Sequence, residues 1–153
     1  MAMRIGVMMG DPAGIGAELT AQVLAGGTMS KGTGVVIVGD PVHLARGQLV
    51  AGTKINVEKL EGVNDVEVVA GKISLLPQSL NDAANYPYGK SKPEGGRYML
   101  DCLETLLLLF REGRIDSICF APLNKHSLKI GGMETADEGD WLTKRLGYAG
   151  HTA

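Results

Sequence analysis

The sequence predicts an α/β fold in which a mostly parallel sheet is flanked by helices. Three observations carry this. Short apolar runs alternate along the chain with longer segments of helical periodicity, the order that builds a parallel sheet through crossover helices. The runs at residues 5–9, 35–38 and 117–121 are apolar at nearly every position, as in strands covered on both faces. Each stops at a proline corner: Gly10-Asp11-Pro12, Gly39-Asp40-Pro41 and Pro122.

In chain order, residues 4–9 (RIGVMM) read as a buried strand ending in a loop. Residues 16–24 (GAELTAQVL) read as a helix closed by Gly26-Gly27. Residues 35–38 (VVIV) form the next strand, and residues 42–50 a helix ending at Ala51-Gly52. The middle changes character. Residues 54–60 alternate, with Ile55, Val57 and Lys59 on one face, and residues 65–69 alternate less cleanly. Residues 73–76 are apolar up to Pro77. These read as a few short strands with one solvated face, a pattern open to antiparallel pairing. Residues 81–93 are rich in turn formers and read as a loop. From Glu94 the spacing of Met99, Cys102, Leu103, Leu106 and Phe110 is helical, with Gly113 placed to end the helix. Residues 115–121 (IDSICFA) form another buried strand. Helices at 125–130 and 138–146 follow, ended by Gly131-Gly132 and Gly147.

A chain of 153 residues with 44% hydrophobic and 21% charged residues is long and apolar enough to fold around a core. Its 15 basic and 17 acidic residues exclude the basic surface that nucleic-acid or anionic-membrane binding requires. No apolar run approaches the ~20 residues of a membrane span. Residues 1–4 lead directly into a strand pattern without a signal-peptide core, so the expected location is the cytoplasm. Cys102 and Cys119 sit inside a helix run and a strand run and read as buried reduced thiols, a disulfide being the alternative. His43, His126 and His151 lack metal-ligand spacing, and no Ser-His-Asp or Cys-His arrangement is present. The 22 glycines are about twice the ordinary share. The last residues, 148–153, end on a loop pattern with no closing element, as expected of part of something longer.

Three segments have the composition of a ligand site. Met9-Gly-Asp-Pro-Ala-Gly-Ile-Gly16 joins a strand to a helix whose first N–H groups suit an anion. The competing reading is a tight turn in which Asp11 bonds backbone amides. Ala121-Pro-Leu-Asn-Lys-His126 also joins a strand to a helix. Asn124 is a natural cap there, and Lys125 and His126 are cations where the helix dipole disfavours them unless an anion is nearby. Gly89-Lys-Ser-Lys-Pro-Glu-Gly-Gly-Arg97 combines basic side chains with flexible backbone, as a phosphate site would, or is a solvated loop before the long helix. The acidic cluster Glu134, Asp137, Glu138 and Asp140 reads as helix capping rather than a metal site.

Together, MGDPAGIG followed by Ala17-Glu18, GKSKPEGGR before a long helix, and FAPLNK at a strand end resemble the 4-hydroxythreonine-4-phosphate dehydrogenases of pyridoxal phosphate biosynthesis. The resemblance covers residues 3–147. It implies that residues 1–153 are the N-terminal portion of a two-domain subunit, whose second half is absent from this chain. It further implies a homodimer with an active-site cleft between domains, using NAD and a divalent metal. Such an enzyme oxidises a small phosphorylated hydroxy acid, and the 3-oxo product then decarboxylates. The family's metal-binding histidines fall in its second half, so ligands for the metal are expected outside this chain. In the biosynthetic enzymes a Gly-His-Thr-Glu segment follows the Asn-Lys pair and its His-Thr binds substrate. The corresponding place here is Glu138-Gly139, and Gly150-His151-Thr152 lies too far downstream. The GGM…ADE form with FAPLNK is more similar to the branch acting on threonate or erythronate 4-phosphate. By their place at strand ends, Asp11, Asn124 and Lys125 are expected to line the cleft, with Lys125 meeting a substrate anion. The alternatives are a truncated non-catalytic binding or assembly domain, or a phosphate acyltransferase-like protein.

Overall fold

The structure, a computed structural model, describes residues 3–27 and 32–149. Strand β1 (Met3–Met8) leads to helix α1 (Gly16–Ala25), strand β2 (Thr33–Gly39) and helix α2 (Pro41–Ala51). Strands β3 (Glu58–Lys59) and β4 (Ile73–Pro77) follow, then the long helix α3 (Pro93–Arg111), strand β5 (Ser117–Phe120), α4 (Lys125–Ile130) and α5 (Glu138–Leu146). The five strands form one sheet in the order β3-β4-β2-β1-β5, and every pairing is parallel.

The sheet separates two apolar layers, as side chains alternating along β2 require. Val35 and Ile37 pack with Ala17, Leu44 and Ile55 under α1 and α2. Val36 and Val38 pack with Met99, Leu103 and Leu106 of α3, and Leu128 and Trp141 extend that layer onto α4 and α5. Residues of β2 from Val35 to Val38 are at most 1% exposed, which is why this strand reads as a continuous apolar run rather than as an alternation.

The middle strands do not take up the antiparallel pairing that their alternation left open. β3 lies parallel to β4, Glu58 opposite Ser74 and Lys59 opposite Leu75. The alternation marks an edge strand, whose outer residues are wetted whichever way it runs. Residues 65–69 do not form a strand. Val63–Asp65 is a single 3-10 turn, and Val69 then crosses close to the Gly34 backbone before the turn into β4. The expectation for the cysteines holds in part. Both are free and Cys102 is buried, but Cys119 is exposed because β5 is the other edge of the sheet.

One buried polar network fixes the end of β2. Asp40 Oδ1 accepts from the amides of Val42 (2.8 Å) and His43 (3.2 Å), capping α2, while its Oδ2 accepts from the amide of Leu80 (2.9 Å) beyond β4. The Asp40 amide donates to the Tyr98 hydroxyl on α3 at 2.9 Å. Replacing this carboxylate removes a cap worth about 1 kcal/mol and strands the buried Leu80 amide, costing about 1–3 kcal/mol more. Asp40→Ala is therefore expected to lower the urea midpoint strongly, whereas Asp40→Asn retains part of the cap.

Candidate functional site

The chain leaves β1 toward β2, while β5 lies on the other side of β1. The loops after β1 and β5 therefore part at the carboxyl ends of two neighbouring strands, the crevice where ligands bind in open α/β sheets. Both loops carry a segment singled out from the sequence, and the backbone ties them together. The Ala121 amide donates to the Met8 carbonyl at 3.0 Å and the Asp11 amide to the Pro122 carbonyl at 3.1 Å. Gly10 makes this approach possible. Its φ is +74°, and a methyl group there would stand 2.8 Å from the Ala121 oxygen and closer still to that of Pro122.

The third segment reaches the same corner. The Gly89 amide donates to the Ala13 carbonyl at 2.7 Å, and the Asn124 side-chain amide donates to Ser91 Oγ at 3.1 Å. Asn124 Oδ1 accepts from the Ser127 amide at 3.0 Å and so caps α4. One side chain thus joins the segment after β5 to the segment before α3.

The structure brings the segments of Asp11, Asn124 and Lys125 together but gives these residues unlike settings. Asp11 is 6% exposed, and its Oδ1 accepts from the Ala13 amide at 3.0 Å, the tight-turn role that competed with ligand binding. Asn124 is half-buried, while Lys125 and His126 open α4 with exposed side chains. The first turn of α1 has no side-chain cap: Ile15 occupies the cap position and cannot accept a hydrogen bond.

The segment at 89–97 is less flexible than its composition predicts. From Pro93 it is already helix, and Gly95 and Gly96 are buried in the first turns of α3. Gly95 faces the Tyr86 hydroxyl and Gly96 the backbone of α4, so these glycines serve packing. Asp137 accepts from the Asp140 amide at 2.9 Å to cap α5, as the acidic cluster predicts. Residues 150–153, with the His151-Thr152 pair, lie outside the described residues.

Sequence reasoning missed Tyr86, Ser91 and Arg46. Tyr86 is 4% exposed, and its hydroxyl lies against Gly95 at the start of α3. Burial, followed by the charges of Asp11 and Glu94, raises the pKa of its phenol, so it is a neutral wall of the corner. Arg46 on α2 holds the loop beneath, donating to the carbonyls of Ala83 (2.8 Å) and Tyr86 (2.9 Å) and lying over the Tyr88 ring. The available signal was the pair of aromatics in an otherwise polar loop. Asp40, at the second Gly-Asp-Pro corner, has both carboxylate oxygens engaged by amides and offers none to a ligand. Among the described residues no group of three or more His, Cys, Asp or Glu side chains is placed to hold a metal ion, and no helix is long and apolar enough to cross a membrane.

Comparison with known proteins agrees with the resemblance read from the motifs. A 4-hydroxythreonine-4-phosphate dehydrogenase of Geobacter metallireducens is 33% identical over 144 residues, covering 94% of this chain and 42% of that protein. A D-threonate 4-phosphate dehydrogenase of Cupriavidus necator is 29% identical over 148 residues, covering 94% and 43%. The crystal structure of a 4-hydroxythreonine-4-phosphate dehydrogenase from Burkholderia phymatum superimposes with a TM-score of 0.87 at 27% identity, over 98% of this chain and 45% of that one. The chain thus spans less than half the length of the relatives it matches. The model of the pyridoxal phosphate biosynthetic protein PdxA matches residues 31–152, most of the sequence and two of the three segments that meet at the corner. With fold, segment order and family model in agreement, this chain belongs to the PdxA family.

Proposed function

We propose that this chain supplies one wall of the active-site cleft of an NAD-dependent, divalent-metal-dependent dehydrogenase. Residues 1–153 would be the N-terminal portion of its two-domain subunit, working as a cytoplasmic homodimer. Its substrate is a four-carbon phosphorylated hydroxy acid, 4-hydroxythreonine 4-phosphate or threonate or erythronate 4-phosphate, and the oxidised product decarboxylates. The observation that supports the reading is the convergence of the segments of Asp11, Asn124 and Ser91 at the β1–β5 corner, two of which lie within the residues matched by the family model.

NAD is the hydride acceptor in this chemistry. What the chain itself contributes is binding and orientation. Lys125 offers a mobile cation to a phosphate or carboxylate. Asn124 and Ser91 hold its helix against the loop before α3, and Asp11 sets the turn that floors the corner. Among the described residues no group of three or more His, Cys, Asp or Glu side chains is placed to hold a metal ion, so the ligands of the proposed divalent metal would come from outside this chain.

The test uses the polypeptide that carries this chain together with the family's remaining length. NADH formation from threonate or erythronate 4-phosphate, abolished by a chelator, is the expected result. Absence of turnover with every four-carbon phosphate overturns the substrate assignment. In that protein Lys125→Met is expected to lower kcat/KM on the order of tenfold or more, the loss of one charge-assisted contact of about 1.5–3 kcal/mol. An unchanged kcat/KM removes Lys125 from the site.

A further inference from the structure

The β1–β5 corner holds one hydroxyl that is fixed on one side and open on the other. Ser91 lies two residues before the start of α3, between the exposed Lys90 and Lys92. It is half-buried, and Asn124 Nδ2 donates to its Oγ at 3.1 Å.

The direction of that bond is set on the far side of Asn124. An asparagine amide has one oxygen that only accepts and one nitrogen that only donates. The Ser127 backbone amide, a donor, lies 3.0 Å from one of these two atoms, which is therefore Oδ1. The atom turned to Ser91 is then the nitrogen. Ser91 Oγ must accept, and its own proton takes no part in the bond. Among the described residues no other hydrogen bond engages this hydroxyl. A hydroxyl that accepts a hydrogen bond becomes a better donor, because the incoming N–H polarises it. Ser91 is thus held from one side while its polarised O–H stays free.

The surrounding charge selects what that proton meets. Lys90 and Lys92 flank Ser91 and Lys125 follows Asn124, and all three side chains are exposed. Positive charge on neighbouring residues favours an anionic oxygen over a neutral one as the acceptor, and a hydrogen bond to an anion is the stronger kind.

We infer that Ser91 is a substrate-binding residue: its O–H donates to an anionic oxygen of the ligand, and Asn124 holds the hydroxyl so that it can. The inference rests on the proposed four-carbon phosphate substrate, which carries two groups with such oxygens, the phosphate and the carboxylate. It gives Asn124 a second task beside capping α4, since the same amide that accepts from Ser127 presents Ser91.

The test is a calorimetric titration of the polypeptide that carries this chain together with the family's remaining length, with threonate 4-phosphate and erythronate 4-phosphate as probes. Ser91→Ala is expected to raise Kd about tenfold, the loss of one hydrogen bond to a charged group. Ser91→Thr keeps the hydroxyl and is expected to bind within about twofold of the parent. The unphosphorylated acid then identifies the anion: a parallel loss on Ser91→Ala assigns the proton to the carboxylate, and unchanged affinity assigns it to the phosphate. Equal Kd values of the phosphorylated probes for the parent and Ser91→Ala overturn the inference. So does a loss that Ser91→Thr fails to restore, which marks a packing role. A parent that binds neither probe overturns the substrate assignment and this inference with it, a pattern distinct from binding that is indifferent to Ser91.

Discussion

Gly96→Ala is expected to cost this chain about 3 kcal/mol, a large part of the 5–15 kcal/mol by which a domain of this kind is stable. Gly96 lies in the second turn of α3, where the helix crosses α4. A methyl group there would stand 2.6 Å from the carbonyl carbon of Ser127 and closer still to its oxygen. The facing residue is also a glycine: a methyl at Gly131 would stand 2.5 Å from the Arg97 amide nitrogen. Because backbone meets backbone, no side chain can turn away to make room, and the helices must separate. Separation would pull Leu128, fully buried, out of the layer formed with α3 and shift Asn124, the cap of α4. Urea unfolding of Gly96→Ala and Gly131→Ala should therefore show strongly lowered midpoints. Gly62→Ala is the control, since a methyl there meets its nearest atom at 4.0 Å, and its midpoint should move by no more than about 0.5 kcal/mol. Equal midpoints for all three would refute the close crossing.

The second large effect is a dependence of stability on pH set by His43. Its ring is 3% exposed, with Nδ1 3.3 Å from the Tyr98 hydroxyl. Burial, and next the charge of Arg46, lower its pKa to about 4 from the ordinary 6.5, against the opposing pull of Asp40. The native state thus holds the neutral ring. Above pH 6.5 the ring is neutral in both states and the full contribution is present. As pH falls from 6.5 to about 4 the unfolded chain takes up a proton that the native chain refuses, and stability drops by about 3 kcal/mol. Asp116 adds a loss at lower pH, because the Arg4 side chain and amide bind its carboxylate and lower its pKa. His43→Gln retains that exposed pair, so the difference between the two stability curves isolates the imidazole. Urea midpoints at pH 7 and pH 4.5 should fall less for His43→Gln than for the parent; parallel curves would count against a buried neutral ring.

Much of the fold is legible in the sequence for local reasons. The runs ending at Gly10-Asp11-Pro12 and Gly39-Asp40-Pro41 are strands because apolar runs with proline stops leave few other conformations. The spacing of Met99, Cys102, Leu103 and Leu106 can only lie on one face of a helix. Asn124 and Asp137 act as caps within three residues of their partners. The middle of the chain is less legible because alternation records one wet face and one dry face, which an edge strand in either orientation has. For Cys119 the error runs the other way: its apolar run implies an interior strand, and among the described residues no strand lies beyond β5.

The sequence by itself determined the alternation of strand and helix, the capping residues and the three segments on which the family resemblance rests. Each depends on interactions among residues close in the chain. Tertiary structure alone decided that these segments meet. The Asn124–Ser91 bond spans 33 positions, the Asp40–Tyr98 bond 58, and the Arg4–Asp116 contact that ties β1 to the start of β5 112. No periodicity encodes such pairs. They follow from the strand order, which places β5 beside β1 rather than beside β4, and with it the corner where the loops diverge. The roles of the glycines were settled at the same level: Gly10 and Gly96 look alike in composition, but one admits a loop and the other a helix, and only the packed neighbours distinguish them.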